Sequence, residues 1–481
     1  MSDSQVIQHV IIGAGPTGLS AAYHLGEGSL LLEQHETLGG CCRSLKDKGF
    51  VFDYAGHVMF SNDPYVHRMY KLLLSDNVHW QDRDAWIFSK NTYTRYPFQG
   101  SLYGLPPQVI KECILGAIDA RFSKIPDNKA CLSASETADY RLAMQNPGEY
   151  PQNLEQFIYK EWGVGIARHF AIPYNRKLWG LPLNEIETSW LSGRVPLPDL
   201  EEMVDGALKP VPKPMGLNAR FGYPLQGGIQ SLMNGFQPYI KGQVKLGAKV
   251  VAVLPHCRQV NLKDGTYYRY QTLISTMPLP VLIALMGDQA PSDIRRAARS
   301  LRHISIRNVN LGIGRPNLTG KHWVYLPEDQ VFHRIFVQGN ASPYCSPAGG
   351  FGLTCEISYS ELKPLPCEGE ALIKRCIEDC VKIGMIKPGE RLITVNQVDM
   401  PYAYVIYDHN RAKNMGMIRS WLEAKKIITA GRYGEWEYYN SDHALIAGKT
   451  AAEKARLLNT ASSGLLSASD AQNYQKRQPA G

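Results

Sequence analysis

Gly13, Gly15 and Gly18 are spaced as G-x-G-x-x-G, and Glu33 follows 20 residues after Gly13. With a strand before and a helix after, this spacing binds a dinucleotide. The first glycine permits a tight turn, the second lets a pyrophosphate approach the backbone, and the third lets helix and strand pack closely. Phosphates sit on the free N–H groups of the helix N-terminus. An acid at the distance of Glu33 can accept hydrogen bonds from an adenosine ribose. A second candidate is His57, beside Gly56. A lone histidine is usually a satisfied core residue. Its place just after a nucleotide-binding unit makes it a candidate for a group that titrates near neutral pH.

These residues need elements to hold them. His9-Val-Ile-Ile12 reads as a buried strand, Pro16 to Leu25 as a helix, and Ser29-Leu-Leu-Leu32 as a second strand. Trp86 to Gln99 reads as a hairpin turning near Asn91 and ending at an X-Pro step. From Pro106 to about Asp205, apolar residues recur at helical spacing, as in Leu154, Phe157, Ile158 and Trp162. Lys209-Pro-Val-Pro-Lys-Pro214 is a stiff, non-helical linker. A helix is expected at Ile229–Ile240, and strands at Gly247–Val253, Thr266–Tyr270 and Leu273–Pro278. Residues 300–420 alternate like a mostly antiparallel sheet. Lys425 to Gly434 reads as a strand into a glycine turn, after which Ser441 or Asp442 caps a helix running to about Leu458.

The expected class is α/β. A discontinuous Rossmann-like domain takes residues 1–95, 211–295 and 421–458. A helical insert takes 96–210, a mostly antiparallel sheet domain 296–420, and a disordered tail 459–481. A length of 481 residues demands more than one core. The formal net charge of +8 suits an anionic small molecule, and no basic run is long enough for nucleic acid or a membrane surface. No apolar run spans a bilayer, and the ten cysteines lack metal-site spacing. No metal is expected. The first strand leaves no room for a cleaved leader, so the expected location is cytoplasmic.

Leu38-Gly39-Gly40-Cys-Cys-Arg43-Ser44 follows Glu33. It resembles the Gly-Gly-x-x-x-Ser turn that lies against the pyrophosphate in FAD enzymes, which points to FAD rather than NAD. Further motifs, in order from His9 to about Leu458, resemble UDP-galactopyranose mutase of the eukaryotic type. Gly56-His57-Val-Met-Phe-Ser61 is similar to its flavin-side segment. Tyr96-Pro-Phe98-Gln99 resembles its uracil segment, and Phe170 with Pro173-Tyr-Asn175 and Trp179 its uridine and sugar segment. Trp190-Leu-Ser-Gly-Arg194 resembles the segment whose arginine guards flavin and substrate, and Asn218 an asparagine facing galactose. Trp323-Val-Tyr325, Arg334, Tyr404 (with Tyr402 as rival), Arg432 and Tyr438 resemble its diphosphate ligands. Gly431, Asn440 and Asp442 resemble residues around the last helix. Ala55 and Asn62 depart from the pattern, standing where glycine and histidine are usual.

The resemblance implies a flavin-dependent, non-redox isomerase that interconverts UDP-galactopyranose and UDP-galactofuranose. Reduced FAD is the implied nucleophile, forming an N5–sugar adduct while UDP leaves and returns. It implies His57, Arg194, Arg334 and Arg432 as catalytic residues. The implied cofactor residues are Gly13, Gly15, Gly18, Glu33, Gly40, Ser44, Gly56, His57, Gly431, Arg432 and Asp442. Two arginines with tyrosine hydroxyls suffice to neutralise a diphosphate without metal. A UDP-sugar and a reductant such as NADPH or NADH complete the implied partners; the sequence leaves monomer and homo-oligomer both open. The competing readings are an amine-oxidase or desaturase-type flavoenzyme, a non-enzymatic binder on the same fold, and a mutase for a related nucleotide sugar.

Overall fold

The strand Val6–Ile12 lies inside a seven-stranded sheet. In a computed structural model, residues 6–122, 134–143, 150–191, 195, 197, 199–210 and 219–462 are described. On one side Val6–Ile12 pairs in parallel with Ser29–Leu32, which pairs with Gln243–Lys245. On the other it pairs with Tyr267–Ser275, which pairs in parallel with Ile427–Thr429. Three separated stretches of chain therefore build one parallel sheet. Val10, Ile11, Leu30, Leu31, Leu273 and Ile274 are buried, as strands covered on both faces must be. Val250–Leu254 and Gln259–Leu262 extend the edge in antiparallel fashion.

The second seven-stranded sheet runs Leu392–Val405, His303–Ile313, Phe351–Tyr359, Arg334–Phe336, Trp323–Tyr325, Ala85–Ser89 and Thr92–Arg95. Its pairings are antiparallel except that of Trp323–Tyr325 with Ala85–Ser89. The hairpin forms where expected, with Lys90 and Asn91 at φ 54° and 58°, the backbone of a two-residue hairpin turn. It extends this antiparallel sheet, with Trp86 and Ile87 opposite Val324 and Tyr325 in parallel pairing.

Pro107–Arg121, Ala134–Ala143, Leu154–Ile166, Ile172–Trp179 and Leu200–Leu208 are helical, with Leu154–Ile166 broken by a kink at Gly163, whose φ is 73°. Ala167–Ala171 is a π turn joining two of them. Pro173 sits just beyond it and has no N–H to donate back, so the regular ladder cannot continue there.

Three expectations are corrected. Thr266–Tyr270 and Leu273–Pro278 form one continuous strand, Tyr267–Ser275. The Ile229–Ile240 helix is only Gln230–Asn234, followed by the 3₁₀ turn Gln237–Tyr239; Gly235 and Pro238 end it. The glycine turn at Gly431 is a short helix, Gly431–Gly434, and the last helix is Ser441–Ser462. Residues 211–214 of the linker and 463–481 of the tail lie outside the described residues. Among the described residues, no helix is long and apolar enough to cross a membrane.

Candidate active site

The glycine turn is built as its spacing requires. Gly13 has φ +97°, and a Cβ there would strike Thr276 Oγ1. A Cβ on Gly18 would strike the Gly13 carbonyl, so strand and helix are in backbone contact. Gly15 and Gly40 face each other, which brings the Gly-Gly turn against the first helix N-terminus. Pro16 stands at the first helical position, where a missing N–H costs nothing. Glu33 is buried. Its Oε2 accepts the Ala14 N–H at 2.7 Å and its Oε1 the His35 N–H at 3.0 Å. Each carboxylate oxygen keeps capacity for a further donor.

Ser44 is bonded within the protein. Its Oγ donates to Asp53 Oδ1 at 2.6 Å and accepts the Gln230 N–H at 3.1 Å. Asp53 also accepts from Tyr223 Oη at 2.6 Å and Ile229 N at 3.1 Å. Burial pushes the Asp53 carboxyl up to about 6, although the hydroxyls of Ser44 and Tyr223 oppose the shift. Sequence reading passed over Asp53, since a lone acid in a strand carries no spacing signal.

A cavity of 630 Å³ lies where the Gly56–His57 segment, the antiparallel sheet and the start of the last helix meet. Gly56, His57 and Asp442 line it. His57 Nδ1 is buried without a hydrogen-bond partner. Burial holds its pKa down to about 3, helped by Arg432 and Arg334, so the ring is neutral. The helix beginning at Ser441 opens onto the same cavity and brings the positive end of its dipole.

The cavity is also lined by Tyr325, Arg334, Tyr404, Arg432 and Tyr438. Arg334 is fixed by Glu356, whose Oε2 accepts its Nε at 3.2 Å and also its Nη2. Arg334 Nη2 reaches Tyr404 Oη at 3.4 Å. Arg432 donates from Nη1 to Ala403 O at 2.9 Å and from Nε to Tyr439 O at 2.7 Å. Its guanidinium lies over the Tyr404 and Tyr438 rings, 5.4 and 5.3 Å from their centroids. Those two rings stack at 5.6 Å and 9°. Tyr402 does not line the cavity and stacks on His303 at 4.2 Å. Of the two rival tyrosines, Tyr404 is therefore the one at the site.

Tyr96, Trp323 and Asn440 also line the cavity. Tyr96 stacks on Tyr325 at 4.9 Å, and burial pushes its hydroxyl up to about 12. Phe98, Gln99, Phe170, Asn175 and Trp179 do not line the cavity. Phe170 lies between Phe98 at 5.0 Å and Tyr174 at 5.2 Å, stacked on both, so its ring faces are already covered. Asn175 donates to Ala171 O at 2.8 Å and accepts from Trp179 Nε1 at 3.1 Å. Trp179 in turn packs edge-on against Tyr404 at 5.9 Å. Arg194 and Asn218 lie outside the described residues.

Sequence reading missed Arg83. It lines the cavity, donates from Nη2 to Tyr325 Oη, and packs over Tyr96 and Trp323 at 5.0 and 5.1 Å. Its only sequence signal is a place 13 residues before Tyr96, just ahead of the hairpin. Glu356 was missed as well, because nothing in a nine-residue strand marks one acid as buried.

The wall with an orphaned, buried His57 Nδ1 and a helix N-terminus fits the polar edge of a flavin. The contacting glycines Gly15 and Gly40 with Glu33 fit a dinucleotide's phosphates and ribose. Fold and cavity together define a Rossmann-like NAD(P)/FAD-binding α/β protein with an antiparallel sheet closing the site. A family model for an NAD(P)-binding Rossmann-like domain matches residues 11–73. Over 94% of its length the chain has the fold of UDP-galactopyranose mutase. A crystal structure of the reduced form of that enzyme superimposes with a TM-score of 0.84 at 27% identity, covering 94% of each chain.

More distant structures share the fold alone. A fatty acid isomerase from P. acnes gives a TM-score of 0.62 at 11% identity over 94% of this chain and 99% of that one. An oxidoreductase from Methanosarcina mazei gives 0.60 at 15% identity, over 93% of this chain and 100% of that one. A stretch of 51 residues is 45% identical to all-trans-retinol 13,14-reductase of Danio rerio, covering 10% of this chain and 8% of that protein. That is too short a stretch to carry the reductase's activity over.

Proposed function

We propose that this chain is an FAD-dependent isomerase that interconverts UDP-galactopyranose and UDP-galactofuranose. One observation carries the reading: a single cavity joins His57 and the last helix to the arginines Arg334 and Arg432 with their tyrosines. A redox enzyme for apolar amines or polyenes needs an apolar tunnel, and three arginines on the wall argue against one.

Reduced FAD, when bound, supplies a nucleophilic nitrogen to the anomeric carbon, so ring size changes without net oxidation. The chain's own residues do the rest. Arg334 and Arg432 take the two charges of the diphosphate, with Tyr325, Tyr404 and Tyr438 contributing hydroxyls. Held in place beforehand, these donors stabilise the charge that gathers on UDP as the glycosidic bond breaks. Tyr96 offers a face to the uracil, with Phe98, Gln99, Phe170, Asn175 and Trp179 as the layer that fixes it and its neighbours. Arg194 and Asn218 are assigned to the flavin and sugar side on the same reading. Neutral His57 accepts or donates one hydrogen bond beside the flavin. The N-terminus of Ser441–Ser462 favours a negative charge on the reduced cofactor. A reduced nicotinamide nucleotide as electron donor and a cytoplasmic setting accompany this reading.

The test is direct. Dithionite-reduced protein is incubated with UDP-galactofuranose, and UDP-galactopyranose is sought by chromatography. Its appearance supports the reading. Its absence, with an amine or oxygen consumed by the oxidised protein instead, would move the chain to the oxidases.

A further inference from the structure

Glu356 lies on Phe351–Tyr359, directly across the ladder from Arg334. Its side chain is wholly inaccessible to solvent. A fold that needed Arg334 only to attract a diphosphate would gain by leaving it unpaired. Instead a buried carboxylate grips one edge of the guanidinium through Nε and Nη2. Buried ion pairs contribute little to stability compared with apolar packing, so the pair needs another explanation.

The second carboxylate oxygen supplies one. Oε1 accepts the Gly56 N–H at 3.3 Å, and the next residue is His57. The other ionisable neighbour, His333 Nε2, stands 3.9 Å away, beyond hydrogen-bond distance. Glu356 thus has one oxygen on the diphosphate arginine and the other on the backbone beside the flavin-side histidine. At 3.3 Å the Gly56 bond is long, against a usual N–H···O distance near 2.9 Å, so it has slack to take up.

We propose that Glu356 is a positioning residue that couples the diphosphate subsite to the Ala55–His57 segment. An anion on the free edge of Arg334 draws positive charge away from Glu356. The carboxylate is then less compensated and becomes a stronger acceptor for the Gly56 N–H. The segment carrying His57 tightens when, and only when, the diphosphate is in place. The inference rests on the proposed function, because it takes Arg334 as a diphosphate ligand.

The test uses the full-length FAD-loaded protein, with inorganic pyrophosphate and UDP as probes. Hydrogen exchange is followed by mass spectrometry on a peptide containing Tyr54 to Phe60. Saturating pyrophosphate is expected to slow the Gly56 amide about tenfold in the natural protein. In Glu356→Gln the amide retains the shape and one acceptor but not the charge. This variant should still bind UDP, by calorimetry, while losing the protection. It should also lose any shift of the visible flavin spectrum that UDP produces in the natural protein. A residue with a merely structural role would lower the melting temperature and leave both responses intact. If the variant does not fold, the natural protein decides alone: pyrophosphate bound with unchanged Gly56 exchange overturns the proposal. If neither UDP nor pyrophosphate binds the natural protein, the proposed function falls and the coupling falls with it.

Discussion

Arg432 is held before any ligand arrives, by the carbonyls of Ala403 and Tyr439 and by two tyrosine rings. Arg334 is held by Glu356. Neither side chain has much freedom left to lose on binding an anion. Replacing either with Ala should leave FAD bound and weaken UDP by about 1.5–3 kcal/mol, the usual worth of one charge-assisted bond. Calorimetric titration checks this, and unchanged affinity in both variants would put the diphosphate elsewhere. Arg432→Lys should be nearly as damaging, since a point ammonium cannot reach two carbonyls and stack on two rings at once. His57 belongs to the same scale. With its pKa at about 3, the ring carries no proton at neutral pH, so the rate should show no titration near the ordinary histidine value of about 6.5. A break in kcat near that pH that disappears in His57→Gln would contradict the assignment.

At the scale of elements, the cavity is lined by pieces that are remote in sequence. The glycine turn, the hairpin and the antiparallel sheet were legible because each has a local signal: spacing, a two-residue turn, or alternation. Phe170 shows where legibility ended. Its motif suggested a face for uracil, but the π turn Ala167–Ala171 places the ring between Phe98 and Tyr174. No periodicity in the sequence reveals which of two aromatic faces is already covered. Glu356 and Arg83 were illegible for a related reason: the ion pair of the first with Arg334 and the aromatic contacts of the second depend on which segments become neighbours. A prediction separates wall from support. Tyr96→Ala should weaken UDP with little change in melting temperature. Phe170→Ala should cost about 3–5 kcal/mol of stability, as a deleted core aromatic does, and weaken UDP only secondarily. Urea denaturation with UDP titration on both variants checks this. The reverse pattern would mean that the base inserts beside Phe170. Asn175→Ala offers a milder probe, since it removes the acceptor of Trp179 Nε1 and so loosens the support of Tyr404.

For the whole molecule, the buried ionisable groups set how stability responds to acid. Burial depresses His57 to about 3 and holds His333 well below its ordinary value. Both rings bind a proton in the unfolded chain below about pH 6.5 and none in the folded one. The unfolded state then carries more protons, so their contribution is complete above pH 6.5 and is lost as pH falls towards 3. Asp53 has the opposite sign. Burial raises it to about 6, so the folded state binds the extra proton between the ordinary carboxylate value and about 6. Its contribution grows as pH falls through that window. His9 and His24, each held down to about 4 mainly by burial, act in the same direction as His57 and His333, while Glu155 and Glu435, raised by burial, act with Asp53. The depressed histidines outnumber the raised carboxyls, which leaves a net loss, worth about 1.4 kcal/mol per pH unit for each uncancelled proton. The urea midpoint should therefore fall from pH 7 to pH 5. The two signs can be separated by substitution. His57→Gln should flatten the slope, whereas Asp53→Asn, which removes the opposing group, should steepen it. A slope that His57→Gln leaves unchanged would mean that His57 is protonated in the fold. In that case His57 would carry charge beside the cofactor, and its neutral role there would have to be abandoned.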